Sequence, residues 1–241
     1  LKAEYIDHMG SDLRVVNAAR VSFAKESEIL SKGDINLIGF LARGCRTGEW
    51  DALIEEALGE YTEGGMEDIL RHVRRMPDHW APFAHPQITL RETVPIAIAR
   101  QRFKHQIGLT YNEVSRRYVT YTPEVFIPEA WRQSAEDVKQ GSSSQLVTDL
   151  SIVEAYRTAT EAAVMAYDYM VEHGVCPEQA RFVLPQGAQT TYLVTGSLYA
   201  FANSYTQRID PHAQQEIQDL ARQWDAILRP LFPHSWSALV D

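Results

Sequence analysis

Residues 87–118 read QITLRETVPIAIARQRFKHQIGLTYNEVSRRY, and this stretch decides the fold. Ile88, Leu90 and Val94 fall on alternate positions, which predicts a strand over 87–94 with one buried face. Pro95 suits the first position of a helix, because it has no amide to satisfy and its φ is already helical. The spacing then predicts a helix over 96–106, in which Arg100 and Lys104 stack one turn apart. Gly108 ends that helix, residues 110–115 are expected as a loop or turn, and 118–121 (YVTY) as an extended segment. A strand running straight into a helix, inside a chain otherwise patterned as helices, points to an α+β class. The expected architecture is a small, mostly antiparallel sheet flanked by several long helices, in a single domain covering 1–241.

The second half of the stretch carries the chemistry. Arg100, Arg102, Lys104, Arg116 and Arg117 face one acid, Glu113, so residues 100–118 stand at +4 in a chain of net charge −9. A basic island in an acidic chain suits a small anion, whereas DNA or RNA needs a broad basic face. Ser115 and Arg117, two apart, can point the same way, and a hydroxyl beside a guanidinium is a good phosphate pair. The plainer alternative is a solvated face whose charges make surface ion pairs.

The rest of the chain reads as scaffold. Ser11 or Asp12 caps a short helix to Arg20, and apolar residues recur at helical spacing through 37–42, 53–58 and 69–73. Gly141 and Ser142–Ser144 suggest a flexible connection before a long helix over 145–173, with Gly174 as its stop. Pro177 opens a short helix carrying Arg181. Residues 190–207 are expected as one helix, and Asp210-Pro211 as the cap and first turn of the last. With 45% hydrophobic residues in 241, the chain can bury a sizeable core. No run of about 18 apolar residues suggests a membrane span, and the first dozen residues lack the apolar core of a signal peptide. Cys45 and Cys176 form no metal or redox spacing, which suits a reducing cytoplasm. The histidines show no metal-ligand spacing, and the common Gly-rich phosphate loops are absent, so no metal is expected.

Lys104-His105-Gln106, followed by Thr110-Tyr111-Asn112-Glu113-Val114-Ser115-Arg116-Arg117-Tyr118, resembles the signature of the flavin-dependent thymidylate synthases. That signature is an Arg-His-Arg triplet followed by Ser-x-Asn-Glu-x-Ser-x-Arg-Tyr. Here Lys104 and Gln106 replace its two arginines, and one residue is inserted at Gly108-Leu109 before Thr110. Collinear blocks extend the likeness: GSDLRVVNAARVSF from Gly10, PFAHPQITLRETVPIAIARQRF from Pro82, GVCPEQARFVLP from Gly174 and NSYTQRIDPHAQQEIQ from Asn203. Residues 45–76 look like a helical insertion relative to short family members.

The resemblance implies FAD as cofactor, with NADPH and methylenetetrahydrofolate as co-substrates. A methylene group passes to carbon 5 of dUMP, and reduction by a flavin-borne hydride gives dTMP. Residue by residue, it implies dUMP contacts at Gln101, Glu113, Ser115, Arg117, Arg181 and Arg208. Arg181 and Ser115 stand nearest the chemistry, Ser115 as a binding group because no His or Lys beside it would activate a nucleophile. FAD contacts are implied at Ser22, His79, Lys104, His105, Gln106, Ile107, Asn112, Glu113 and Asn203, in a homotetramer with sites between subunits. Two alternatives stay open on sequence: a related flavin and folate enzyme that hydroxymethylates a pyrimidine nucleotide, and a non-catalytic nucleotide-binding protein.

Overall fold

A computed structural model describes residues 1–45, 79–135 and 141–241. The class is α+β, as expected. Strands β1 (Lys2–Met9), β2 (Gln87–Pro95), β3 (Leu109–Glu113) and β4 (Gln189–Ser197) form one sheet in the order β1-β2-β4-β3. Threonine hydroxyls pair across β2 and β4 at Thr89–Thr195 and Thr93–Thr191, both 2.9 Å, which fixes an antiparallel register with Glu92 opposite Tyr192. Among the described residues the helices are α1 (Asp12–Arg20), α2 (Lys32–Ala42), α3 (Ala81–Ala84), α4 (Ile96–Arg102), α5 (Leu150–Glu172), α6 (Pro177–Ala180), α7 (Leu198–Arg208), α8 (Gln215–Leu231) and α9 (Pro233–Val240). The expected insertion at 45–76 lies, beyond Cys45, outside the described residues, as do the helical segments expected over 53–58 and 69–73.

Contacts group the chain into two compact units. The first comprises Leu1–Ile6, Thr89–Thr195 and Thr206–Trp224. Its core is built from alternate residues of β2 and β4 (Leu90, Val94, Tyr192, Val194) with Ile98, Tyr167, Ile217, Leu220 and Trp224. Asp149 caps α5 by accepting from the Ser151 amide, and the helix stops at Gly174, whose φ of 85° is left-handed. Gly187 admits the Tyr156 hydroxyl so closely that a β-carbon would collide with it, while that hydroxyl donates to the Phe126 carbonyl.

The second unit comprises Asp7–Ile88, Gly196–Tyr205 and Asp225–Asp241. Val15, Val16, Ile38, Leu41, Phe83, Phe201, Leu228, Phe232 and Trp236 are buried in it. Ser31 and Asp34 form a reciprocal capping box at the start of α2. Asp12, buried, accepts from the amides of His234 and Ser235, both at 2.9 Å, and so caps α9 from a distant part of the sequence.

Five expectations are corrected. The segment 190–207 is not one helix: it is β4 followed by α7. Thr190, Tyr192 and Val194 are buried while Thr191, Leu193 and Thr195 are not, the period of two that β-branched and aromatic residues support. The helix after Pro95 ends at Arg102 rather than 106, so Arg100 and Lys104 do not share a helical face. The loop expected over 110–115 begins as β3, whose edge position gives its residues a sheet partner the local pattern could not show. Residues 118–121 form no strand; the Tyr118 amide turns back onto the Ser115 carbonyl. Asp210 does not cap the last long helix: its carboxylate accepts from the His212 amide in a local turn, and α8 starts at Gln215. β1 was not anticipated at all, and it is short of the apolar alternation that marks a strand.

Candidate active site

Four separate stretches of the first unit converge on one pocket of about 360 Å³. The end of β3 and the turn after it supply Glu113, Val114, Ser115 and Arg116. The turn after α6 supplies Arg181 and Leu184. The start of β4 supplies Ala188, Gln189 and Thr190, with Ile96 from the start of α4. The pocket forms because the Val114 amide donates to the Thr191 carbonyl at 2.9 Å, tying the end of β3 to β4. Pro177 gives α6 its first turn and sets Arg181 one residue past its end, where Nε donates to the Glu178 carbonyl. The Thr190 hydroxyl donates to Oε1 of Glu113 at 2.6 Å, holding that carboxylate at the pocket wall. The Ser115 hydroxyl accepts from the Arg117 amide at 3.3 Å.

The sequence-expected residues divide on this geometry. Glu113, Ser115 and Arg181 line the pocket together; Gln101, Arg117 and Arg208 are not among its lining residues. Arg116 lines the wall instead of Arg117. The Arg117 guanidinium donates to the carboxylate of Glu178, a residue of α6, at 3.3 Å in an exposed pair. The Gln101 amide donates to the Gln214 side chain. Arg208 donates from Nε to His105 Nε2 at 2.7 Å and from Nη2 to the Gln101 carbonyl.

That makes His105 an acceptor, and its pKa agrees. Burial first, then the Arg208 and Arg102 charges, push it down to about 4, so the ring is neutral at physiological pH. Its carbonyl accepts from the Tyr111 hydroxyl at 2.7 Å, a phenol that burial pushes up to about 12. Behind Tyr111 lies a charge pair with no exposed surface. Arg102 donates to Glu92 at 3.2 and 3.4 Å and to Tyr111 at 2.8 Å, and its guanidinium lies 4.3 Å over the Trp224 ring. The Tyr192 hydroxyl donates to Glu92 at 2.6 Å, and burial raises its pKa strongly. This brace was missed on sequence. Its signal was present: Glu92 is the charged member of an inward series otherwise made of Ile88, Leu90 and Val94.

Among the expected flavin contacts of this unit, Lys104, Gln106, Ile107 and Asn112 are exposed. Ile107 is 95% exposed, and Lys104 makes no ion pair among the described residues. A solvent-facing ammonium beside an uncovered aliphatic side chain and a neutral imidazole fits a cofactor that carries both a pyrophosphate and flat rings. Ser22, His79 and Asn203 belong to the second unit, where all three are exposed and His79 is tilted against Phe40. Cys45 and Cys176 are not lining residues of the pocket.

The family model described as thymidylate synthase complementing protein, Thy1, matches residues 4–234. A flavin-dependent thymidylate synthase from Thermus thermophilus is 31% identical over 236 residues, covering 98% of this chain and 74% of its own length. Another from Thermosipho africanus is 30% identical, covering 98% and 89%. Among solved structures, the UMP/dUMP methylase PolB from Streptomyces cacaoi, bound with 5-Br dUMP, superposes with a TM-score of 0.74 at 25% identity, over 98% of this chain and 93% of PolB. With a carboxylate, a hydroxyl and two guanidiniums lining one pocket and a family match over nearly all its length, this chain belongs to the flavin-dependent thymidylate synthase family.

Proposed function

We propose that the protein methylates dUMP to dTMP, with methylenetetrahydrofolate as carbon donor and NADPH as reductant, on an FAD cofactor. The observation that carries this is the pocket itself: Glu113 and Ser115 from one stretch and Arg181 from another, the positions at which the resemblance implies dUMP contacts, line it together. The Ser115 hydroxyl and the Arg117 guanidinium bind the phosphate, with Arg117 exchanging its exposed contact to Glu178 for the stronger charge of a phosphate. Arg181 faces the uracil and stabilises the negative charge that develops on the ring as carbon 5 reacts. Glu113, held by Thr190, orients the nucleotide, and Gln101 and Arg208 complete its binding. FAD, when bound, supplies hydride chemistry that no side chain of the pocket can. Lys104, His105, Gln106, Ile107, Asn112 and Glu113 of the first unit hold it, as do Ser22, His79 and Asn203 of the second. Lys104 meets the pyrophosphate as a point charge. The assembly is proposed as a homotetramer acting in the cytoplasm, a reducing compartment that suits the exposed Cys176 thiol.

Among the described residues no helix is long and apolar enough to cross a membrane. The test is anaerobic. The FAD-loaded protein is reduced with NADPH, then given dUMP and methylenetetrahydrofolate. Flavin reoxidation with dTMP as product supports the proposal. FAD-loaded protein that forms no product overturns it, and 5-hydroxymethyl-dUMP in place of dTMP redirects it to hydroxymethylation. The likeness to a UMP/dUMP methylase makes UMP the natural second substrate to assay in parallel.

A further inference from the structure

The Gln101 carboxamide has two chemically opposite ends, an accepting oxygen and a donating NH2, and a chain of hydrogen bonds within the first unit fixes which end is free. The chain starts at Glu216, a buried residue in the first turn of α8. Its two carboxylate oxygens accept from Arg132 Nη2 at 2.8 and 2.9 Å, and Arg132 Nε donates to the Ser142 hydroxyl at 2.7 Å. Burial works to raise the Glu216 pKa, but the bonds from Arg132 and Gln214 outweigh it and hold the group below the ordinary carboxylate value. An ionised carboxylate only accepts, so Gln214 must turn its NH2 towards Glu216, which it meets at 2.8 Å. The Gln214 oxygen therefore faces the other way, where it accepts from the Gln101 NH2. The Gln214 backbone is anchored as well, its carbonyl accepting from the amides of Ile217 at 3.0 Å and Gln218 at 3.1 Å. At the far end of the chain, Gln101 Oε1 has no hydrogen-bond partner among the described residues and stays open to solvent.

We propose that Gln214 is a positioning residue that locks the Gln101 carboxamide with its oxygen outward, as the acceptor that meets an N–H or O–H of the bound nucleotide. The inference rests on the reading of Gln101 as a dUMP contact. Without Gln214 the Gln101 side chain rotates freely about its stem, and every binding event must order it again. A side chain held in advance removes that cost from binding. Gln214 acts only through Gln101, which sets it apart from a residue that touches the nucleotide and from one that merely supports the fold.

The test is calorimetric titration of the FAD-loaded protein with dUMP, for the unmutated chain, Gln101→Leu, Gln214→Leu and the double variant. Gln101→Leu is expected to weaken dUMP binding about tenfold, the loss of one hydrogen bond. Gln214→Leu is expected to weaken it about fivefold, the cost of ordering one long side chain. The double variant is expected to bind like Gln101→Leu alone, because a carboxamide that is gone cannot be positioned. Should Gln214→Leu not fold, Gln214→Asn goes through the same cycle with the same expected pattern, since it keeps the amide but is too short to span both partners. An equal fold loss from the Gln214 change in both backgrounds is the mark of a general disturbance and overturns the inference. Undiminished dUMP affinity in the Gln214 variant overturns it too. If Gln101→Leu binds dUMP as tightly as the unmutated protein, the inference falls and the nucleotide reading of the pocket stands; if the unmutated protein binds no dUMP at all, that reading fails and takes the inference with it.

Discussion

Arg102 and Arg117 belong to one basic stretch of sequence and meet opposite fates. Arg102 has no exposed surface and is held by Glu92, Tyr111 and the face of Trp224. Arg117 is 52% exposed, with an exposed ion pair to Glu178 and its guanidinium 5.5 Å from the centre of the Tyr118 ring. The same charge is therefore a structural commitment at one end of the stretch and a movable contact at the other. A buried ion pair is expensive to break because the survivor is left charged in a low-dielectric site. An exposed pair is screened by water and is worth little, which leaves Arg117 available to an incoming anion.

The largest expected effect tests the buried end. Arg102→Leu strands the Glu92 carboxylate and should destabilise folding by about 3–5 kcal/mol, read by urea denaturation. The double change Glu92→Leu/Arg102→Leu should recover much of that loss, because both charges leave together. A double variant no more stable than the single one breaks the comparison. Next in size is Arg181→Ala, which should cut turnover by about 10²–10³ while FAD absorbance is retained. Normal dUMP-dependent flavin oxidation in that variant would remove Arg181 from the chemistry. Ser115→Ala should follow, raising the dUMP dissociation constant by about tenfold with a smaller change in kcat. Complete inactivity at saturating dUMP would instead make Ser115 a nucleophile.

A pH prediction sharpens the middle of the stretch. His105 has its pKa lowered to about 4 in the folded protein, first by burial and then by Arg208 and Arg102. Between that value and the unfolded value of about 6.5, the unfolded chain binds a proton that the folded chain does not. Its contribution is therefore fully present above the unfolded pKa and is lost as pH falls towards 4. Arg208→Met removes one of the opposing charges and should move the His105 titration upward by NMR; an unmoved titration would leave burial as the whole cause. The smallest effect belongs to the exposed end. Glu178→Gln should change stability by less than about 1 kcal/mol, and less still in high salt.

Several features were legible from local pattern. The strand over 87–94, the proline-led helix after it, the α5 stripe and the short helix carrying Arg181 all followed from periodicity and capping. The blocks around Gly10, Pro82, Gly174 and Asn203 were enough to show the family. What failed did so for separate reasons. In 190–207 the helical spacing of Leu198, Phe201, Ala202 and Tyr205 was extended back over a segment that β2 and the end of β3 recruit as a strand. The Arg100 and Lys104 stack failed because the chain turns at Phe103, where Lys104 and His105 amides close on Gln101 and Arg102.

By itself, then, the sequence determined the class, the family and a short list of chemistry-bearing residues, since alternation, caps and motif spacing are properties of neighbours along the chain. Tertiary structure alone decided which of those residues share a wall, that Arg116 rather than Arg117 lines it, and that Arg102 is buried with Glu92. Those are outcomes of pairing between distant segments, where desolvation and hydrogen-bond satisfaction set the energy and sequence distance carries no information about either.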